Sequence, residues 1–173
     1  MRIYFMKTGR ISFSKWTEAD LPLASSLWGD AQVARFLCAD GIFREEEIAL
    51  RLAREMENDS RFGVQYWPIF SLAGCAFLGC CGLRLYRAEE RIYELGFHLK
   101  SEQWGKGYAL EAAGAVIAYA FDHLGAFNVF AGHHPGNSSS QRLLAKLGFH
   151  HVRDEYYAPT GLCHPSYLYR LPG

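Results

Sequence analysis

The sequence lacks the features that mark several special classes of protein. Its 18 basic and 18 acidic side chains give a formal net charge of zero. This balance argues against a nucleic-acid partner, because binding a phosphate backbone requires a basic surface. No apolar run approaches the ~18 residues of a membrane helix, and the apolar part of residues 1–7 is too short for a signal peptide. We therefore expect a soluble, cytoplasmic protein without a membrane partner.

A disulfide framework and a metal-binding pattern are also missing. The five cysteines are an odd number without framework spacing, and buried, reduced thiols are the favoured interpretation. The adjacent pairs His133–His134 and His150–His151 lack ligand spacing, since neighbours on a strand point to opposite faces. No Cys-x-x-Cys motif is present. We predict that the protein has no metal site.

The length and composition fit one domain that spans residues 1–173. Half of the residues are hydrophobic, which is enough for a full core. Alternating patterns predict strands at 10–14, 65–72, 77–86, 91–99, 127–132, 150–157 and 165–171. Helical spacing predicts helices at 18–28, 31–37, 44–57, 107–124 and 138–147. These elements predict an α/β (α+β) fold with a mixed sheet of six or seven strands and helices on both faces.

The helix predicted at 44–57 has an apolar face and a charged face. Ile48, Leu52 and Met56 recur at a spacing of four and should face the core. The other face carries the charged residues Arg44, Glu45, Glu47, Arg51, Arg54 and Glu55. We interpret these charges as a solvated surface, stabilised by pairs one turn apart.

The strand predicted at 91–99 carries polar side chains on a surface otherwise suited to burial. Its odd positions from 93 to 99 are all apolar and should face one core. Its even positions include Glu94 and His98. Because strand side chains alternate between faces, this carboxylate and this imidazole project from the same face.

The segment Trp104-Gly105-Lys106-Gly107-Tyr108-Ala109 follows that strand and begins the helix predicted at 107–124. Its glycines let backbone N–H groups turn outward. A helix start adds unpaired N–H groups and partial positive charge. The arrangement is typical of a phosphate-binding loop, and a plain tight turn is the alternative. Neither a nucleotide P-loop nor a dinucleotide fingerprint fits, because Tyr108 follows Gly107 and Leu110 stands where the fingerprint needs glycine or alanine.

Two motifs in this order give the chain a resemblance to a known superfamily. The first is the strand and loop that run from Tyr93 to Ala109, followed by Glu111. The second begins at Asn137, a predicted N-cap, and ends at Leu147-Gly148-Phe149. Together they resemble the GNAT superfamily of acyl-CoA-dependent N-acetyltransferases. The form of the loop looks like the branch that includes ribosomal-protein N-terminal acetyltransferases, and the resemblance spans residues 8–171.

This resemblance implies acetyl-CoA (coenzyme A) as cofactor and a mostly antiparallel sheet with a central splay. The strand at 91–99 would part there from the strand at 127–132. Backbone groups left unpaired at the splay would bind the pantetheine amides, and N–H groups of the glycine loop would bind the pyrophosphate. The implied cofactor-binding residues are Phe97, His98, Leu99, Trp104, Gly105, Lys106, Gly107, Tyr108, Ala109, Asn137 and Ser140.

The implied reaction is direct attack of a neutral primary amine on the thioester carbonyl in a ternary complex. Glu94 is the candidate base, acting directly or through water. A structural ion pair with Arg84, Arg87 or Arg91 is the alternative role for this carboxylate. His98 is the second catalytic candidate, and simple packing at a strand end is its alternative.

Two further parts of the site stay open. Many GNAT enzymes use a tyrosine as general acid where this chain has Leu144. Three alternatives stay open: another tyrosine (Tyr156, Tyr157 or Tyr167), water, or no acid at all, because a thiolate is a good leaving group. The segment 156–167 is rich in aromatic and histidine residues and suggests a substrate-facing wall with Tyr157, His164 and Tyr167. A packed hairpin loop is the alternative for that segment.

The acceptor would be a protein or peptide N-terminus or a small-molecule amine, and dimers are common among similar proteins, so a homodimer is a candidate assembly. Two competing functions stand beside the enzyme hypothesis. A non-catalytic acyl-CoA-binding module or sensor would explain the missing tyrosine. A nucleotide or nucleic-acid module is opposed by the absent motifs and the neutral charge.

Overall fold

The computed structural model describes residues 1–172. It contains five α-helices in this part of the chain. They are α1 (Leu21–Trp28), α2 (Ala31–Ala34), α3 (Glu45–Phe62), α4 (Tyr108–Leu124) and α5 (Ser138–Leu147). Short 3-10 turns at Glu18–Asp20 and Ser101–Gln103 precede α1 and the glycine loop. α2 is shorter than expected, whereas α3 continues past residue 57 until Gly63 ends it in a left-handed conformation.

Eight strands form one sheet, one or two more than the sequence predicts. They are β1 (Met6–Lys7), β2 (Ile11–Phe13), β3 (Tyr66–Ser71), β4 (Phe77–Arg87), β5 (Ile92–Leu99), β6 (Asn128–Gly132), β7 (His150–Tyr157) and β8 (Leu162–Tyr169). Their spatial order is β1-β2-β3-β4-β5-β6-β8-β7. The β5–β6 pair is parallel and the other neighbours are antiparallel. The added strand, β1, has two residues, too few for a sequence pattern to reveal.

Helices cover both faces of this sheet, as the sequence predicts. One core packs α4 against the central strands and includes Ala113, Val116 and Leu95. A second core lies on the opposite face and joins α1 and α3 to the sheet through residues such as Trp28, Leu52 and Cys80. The free thiols of Cys80 and Cys81 are buried, as the sequence predicts, whereas those of Cys75 and Cys163 are exposed.

The sheet opens between β5 and β6. Their pairing runs from Ile92–Asn128 only to Glu94–Phe130, although β5 continues to Leu99 and β6 to Gly132. On its other side β5 stays paired with β4 up to Leu99. The C-terminal half of β5, from Leu95 to Leu99, therefore has one unpaired backbone edge. This opening between β5 and β6 is the central splay that the resemblance implies.

α3 corrects one expectation from the sequence. Glu55 is completely buried and Arg51 is partly buried, so these two residues do not belong to a solvated face. Glu55 follows Ile48 by seven positions and Leu52 by three, so it shares the apolar stripe of the helix. Its carboxylate pairs with Arg84 on β4 and accepts a hydrogen bond from Tyr66 N–H at 2.8 Å, and these partners compensate for its burial.

Candidate active site

The glycine loop lies at the N-terminus of α4 and is open above its backbone. Gly105 and Gly107 have φ angles of +75° and +80°, in the left-handed region that favours glycine. A Cβ added at Gly105 would meet nothing within 4 Å. The loop thus exposes backbone N–H groups beside the positive end of a 17-residue helix, a suitable site for a phosphate.

Side chains from the turn between β1 and β2 hold this loop in place. The Arg10 guanidinium donates to the Lys106 carbonyl at 2.9 Å and pairs with Glu111 in the first turn of α4 at 2.7 Å. It also lies over the Tyr108 ring, 4.7 Å from the centroid. Burial alone would raise the pKa of Glu111, but hydrogen bonds from Thr8 and Arg10 lower it. The carboxylate therefore remains ionised and fixes the loop to the body of the protein.

A cavity of about 490 Å³ extends from this loop to the splay. Ten of the predicted cofactor-binding residues line it: Phe97, His98, Leu99, Trp104, Gly105, Gly107, Tyr108, Ala109, Asn137 and Ser140. Lys106 does not line it, and its ammonium donates to Gln103 Oε1 at 3.1 Å. The Asn137 side chain accepts from Ser140 N–H at 3.1 Å and caps α5, as predicted.

The unpaired edge of β5 forms one wall of the same cavity. Lys100 N–H donates to the Leu78 carbonyl on β4. Because the backbone groups of successive strand residues point to alternate sides, those of Phe97 point toward the splay. The Trp104 indole donates to the Leu99 carbonyl at 3.0 Å and anchors the loop to the end of the strand. The cavity thus combines a strand edge for amides with a helix start for phosphates.

A second cavity of about 310 Å³ adjoins the first on the other side of His98. Both cavities are lined by Phe36, Leu37, Phe97, His98, Asn137 and Ser140. Glu94, Tyr157 and His164 line the second cavity alone. The structure therefore brings both predicted catalytic residues and two predicted substrate-binding residues to one place, next to the candidate cofactor site.

Glu94 does not form the ion pairs that were its alternative role. Within residues 1–172, Arg84 pairs with Glu55 and Arg87 pairs with Glu90. Glu94 instead accepts a long hydrogen bond of 3.4 Å from the Tyr66 hydroxyl. Burial raises the pKa of Glu94, and the nearby Arg84 guanidinium and the Tyr66 hydrogen bond act in the opposite direction. A carboxylate with a raised pKa, open to a cavity, suits proton transfer.

His98 is held as a neutral imidazole. The Trp28 indole N–H donates to His98 Nδ1 at 3.2 Å, so the ring proton lies on Nε2. Burial, followed by the positive charges of Arg51 and Arg84, holds the pKa of His98 well below its usual range. His98 can therefore donate a hydrogen bond from Nε2, whereas its Nδ1 lone pair is already occupied.

Beneath these residues lies a buried polar unit of Glu55, Arg84 and Tyr66 that was not predicted from the sequence. The Arg84 guanidinium pairs with Glu55 and lies over the Tyr66 ring, 4.1 Å from its centroid. The Tyr66 ring passes directly above Gly96, where an added Cβ would come within 2.1 Å of Tyr66 Cζ. Cross-strand registers give a signal for part of this unit, because Arg84 faces Glu94 and Tyr66 faces Gly82. The pairing of Glu55 on α3 with Arg84 on β4 cannot be read from the periodicity of either element.

The predicted substrate-binding residues of the β7–β8 hairpin do not all lie at the second cavity, because Tyr157 and His164 line it and Tyr167 does not. His164 is buried beside Thr160 Oγ1 at 2.7 Å, and burial, with His134 and His133 nearby, lowers its pKa to about 4. The Tyr167 hydroxyl lies 3.2 Å from His133 Nε2, and Tyr167 is outside the lining of both cavities.

The residue at the usual position of the general acid belongs to the core. Leu144 is buried and packs in the core beneath α4 and α5. Tyr156 and Tyr157 line the second cavity, as do Tyr66 and Tyr86. The position of Leu144 therefore supplies no proton donor, and other tyrosines stand at the cavity.

Within residues 1–172, none of the helices combines the length and apolar character that crossing a membrane requires. No group of three or more His, Cys, Asp or Glu side chains in this range is arranged to hold a metal ion.

Comparisons with known proteins agree with this geometry. The family model described as the acetyltransferase (GNAT) domain matches residues 10–150. The protein YkkB of Bacillus subtilis is 34% identical over 97 residues, which are 56% of this chain and 56% of that protein. The chain thus spans only about half the length of this relative. The N-acetyltransferase YoaA of Bacillus subtilis is 23% identical over 169 residues, 96% of this chain and 95% of that protein.

A solved structure shows the same fold. RimL, a ribosomal L7/L12 α-N-protein acetyltransferase crystallised with coenzyme A, superimposes with a TM-score of 0.81 at 12% identity. The match covers 97% of this chain and 98% of that one. The match of the family model to most of the chain confirms the resemblance to the GNAT superfamily identified in the sequence. The chain belongs to the GNAT family of acetyltransferases.

Proposed function

We propose that this protein transfers the acetyl group of acetyl-CoA to a primary amine by direct attack in a ternary complex. One observation carries the proposal: two cavities meet at His98, one with a phosphate-type loop and a free strand edge, the other with Glu94. Holding both reactants in adjacent cavities can lower the barrier by several kcal/mol. The acetyltransferase names of relatives such as YoaA support the same chemistry.

The residues that would hold acetyl-CoA fit its chemistry. N–H groups at Gly105 to Ala109 would bind the pyrophosphate, because they lie at the start of α4 with no side chain above Gly105. The free edge of β5 around Phe97 would pair with the pantetheine amides. A backbone N–H of this edge would also stabilise the oxyanion, and one such donor contributes roughly 3 kcal/mol.

Glu94 is the proposed base and His98 a proposed hydrogen-bond donor. As the amine nitrogen attacks the thioester carbonyl, its proton passes to Glu94, directly or through a water molecule, and the carbon–sulfur bond breaks. The geometry favours Glu94 over His98 for this step, because the Nδ1 lone pair of His98 already accepts from Trp28. A thiolate is a good leaving group, so the reaction can proceed without a dedicated acid at the position of Leu144.

A non-catalytic acyl-CoA-binding module is the second candidate function. The observation that favours it is the burial of Leu144 at the position where many GNAT enzymes have their acid. Cytoplasmic location, a homodimer and the absence of a nucleic-acid partner stay predictions from the sequence and the family.

Calorimetric titration of the pure protein with acetyl-CoA, beside ATP and NAD, tests the cofactor assignment. We expect micromolar binding of acetyl-CoA alone, followed by thiol release when a panel of primary amines is added. Tight binding without turnover of any amine would favour the non-catalytic module. No binding of acetyl-CoA would reduce the glycine loop to a turn and refute the enzyme hypothesis.

A further inference from the structure

Arg51 is the feature of the second cavity that the fold does not explain. It lines the cavity from α3, and its guanidinium carbon lies over the Trp28 and Phe43 rings, 5.0 and 5.3 Å from their centroids. Its Nε is buried without a hydrogen-bond partner, and Arg51 forms no direct ion pair with any residue in the range 1–172. The charge of Glu55 acts on Arg51, but the Glu55 carboxylate is already paired with Arg84. A buried guanidinium without a direct counter-ion is costly for stability, so a ligand carboxylate would stabilise it.

The charges around this cavity indicate what kind of ligand would fit. Two arginines and two glutamates line it: Arg51, Arg84, Glu94 and Glu155. Two of them are neutralised inside the protein, through the pairs Arg84–Glu55 and Arg153–Glu155. Among residues 1–172, the Arg51 guanidinium on α3 and the Glu94 carboxylate on β5 remain without a direct ion pair, although the charges of Glu55 and Arg84 act on them. A ligand with one cationic and one anionic group would complement them.

From this balance we propose that the acceptor is a small zwitterion of the α-amino acid class. Its amine lies toward Glu94, where it loses its proton, and its carboxylate binds the Arg51 guanidinium. A carboxylate fits better than a phosphate, because a second negative charge would find no free cation among the lining residues. This assignment rests on the proposed function, since it names the acceptor of the same reaction.

The size and lining of the cavity agree with such a ligand. Its volume of about 310 Å³ lies at the small end of ligand pockets. Part of its wall is aromatic, including the Tyr86 and Phe130 rings, which stack with their centroids 4.2 Å apart. Amino acids with apolar or aromatic side chains, such as leucine and phenylalanine, are therefore the first probes.

The test compares each amino acid with its carboxamide, which keeps the amine and side chain but lacks the negative charge. With acetyl-CoA present and thiol release as the signal, we expect a higher kcat/KM for leucine and phenylalanine than for leucinamide and phenylalaninamide. The comparison is conservative, because the carboxamide has the lower amine pKa and offers more neutral nucleophile at pH 7.5. Peptides that begin with leucine serve as a third arm.

Two variants on one helix assign the effect to the guanidinium. Arg51→Met keeps a long apolar side chain beside Trp28 and Phe43 but removes the charge, and Arg54→Met is the matched control because Arg54 is exposed on the same helix. For Arg51→Met we expect a rise of about 10- to 100-fold in KM for the amino acid, little change for the carboxamide, and an unchanged Kd for acetyl-CoA. Arg51→Lys should recover part of the preference. Thermal unfolding shows whether each variant is folded.

The outcomes separate the two proposals. Loss of the preference for the carboxylate in Arg51→Met, but not in Arg54→Met, supports the assignment. Equal or faster acetylation of carboxamides or peptides by the wild-type protein overturns the zwitterion while leaving the acetyltransferase intact. A preference that persists in Arg51→Met overturns the role of Arg51. Failure to bind acetyl-CoA, or to release thiol with any amine, refutes the proposed function itself.

Discussion

Replacing Glu55 by glutamine should destabilise the protein far more than the same change elsewhere on α3. Glu55 is 0% exposed, pairs with Arg84 and accepts from Tyr66 N–H at 2.8 Å. Glutamine can still accept from Tyr66, but it leaves the Arg84 cation without its counter-charge. Breaking a buried ion pair in this way costs roughly 3–5 kcal/mol. Because the Arg84 side chain is 24% exposed, we expect the lower end, about 3 kcal/mol.

For a domain of this size, such a loss lowers Tm by roughly 6–12 °C. Glu57→Gln is the matched control, because Glu57 lies on the same helix and forms an exposed pair with Arg61 that contributes about 0.5 kcal/mol or less. Differential scanning calorimetry at pH 7 measures both variants. Replacing Arg84 by methionine in the Glu55→Gln background should recover part of the loss. A Tm for Glu55→Gln within 2 °C of that for Glu57→Gln would refute the reasoning.

Three further predictions test the site. Glu94→Gln should lower kcat by about 10²- to 10⁴-fold without changing the Kd for acetyl-CoA. Because burial raises the pKa of Glu94, ionisation of this carboxylate opposes folding, and the wild-type protein loses stability as the pH rises toward the raised pKa. The Tm of Glu94→Gln should therefore increase relative to that of the wild type over this pH range. Gly105 and Gly63 have similar positive φ angles and open surroundings. Calorimetry should therefore show similar losses of Tm for Gly105→Glu and Gly63→Glu. Only Gly105→Glu should weaken the binding of acetyl-CoA. Gly96→Ala should displace the Tyr66 ring and cost about 1–3 kcal/mol in thermal unfolding, and wild-type Tm and kcat would contradict the close approach.

The conformation of the glycine loop and the start of α5 could be predicted because both depend on local rules. Glycines at positive φ, a helix start and an N-cap asparagine each follow from a few adjacent residues, and the structure places Gly105, Gly107 and Asn137 in these roles. The alternation along β5 likewise places Glu94 and His98 at one cavity. The splay was available only through the family resemblance, because no local pattern shows where β6 stops pairing with β5.

The charged residues of α3 show why the buried charges beside the second cavity could not be predicted. Arg51 and Glu55 look like surface charges by residue type, and the six-residue charged face of the helix favours solvation. Glu55 nevertheless shares the stripe of Ile48 and Leu52, a spacing that could have marked it as buried. What the spacing could not supply is its partner, because Arg84 follows Glu55 by 29 positions and reaches it only once β4 has paired within the sheet.

This difference between the two sides of the site has a physical origin. The cavity beside the glycine loop, where we propose that acetyl-CoA binds, presents backbone groups whose positions follow from main-chain geometry. The adjoining cavity presents side chains from α3, β4, β5 and the β7–β8 hairpin, which only the tertiary fold brings together. Substitution of one such side chain changes the charge or shape offered to the acceptor while the strand edge and helix start stay in place. Acceptor specificity can therefore diverge among GNAT proteins whose cofactor motif is unchanged, and for this chain it is to be sought in Arg51 and its neighbours rather than in the loop.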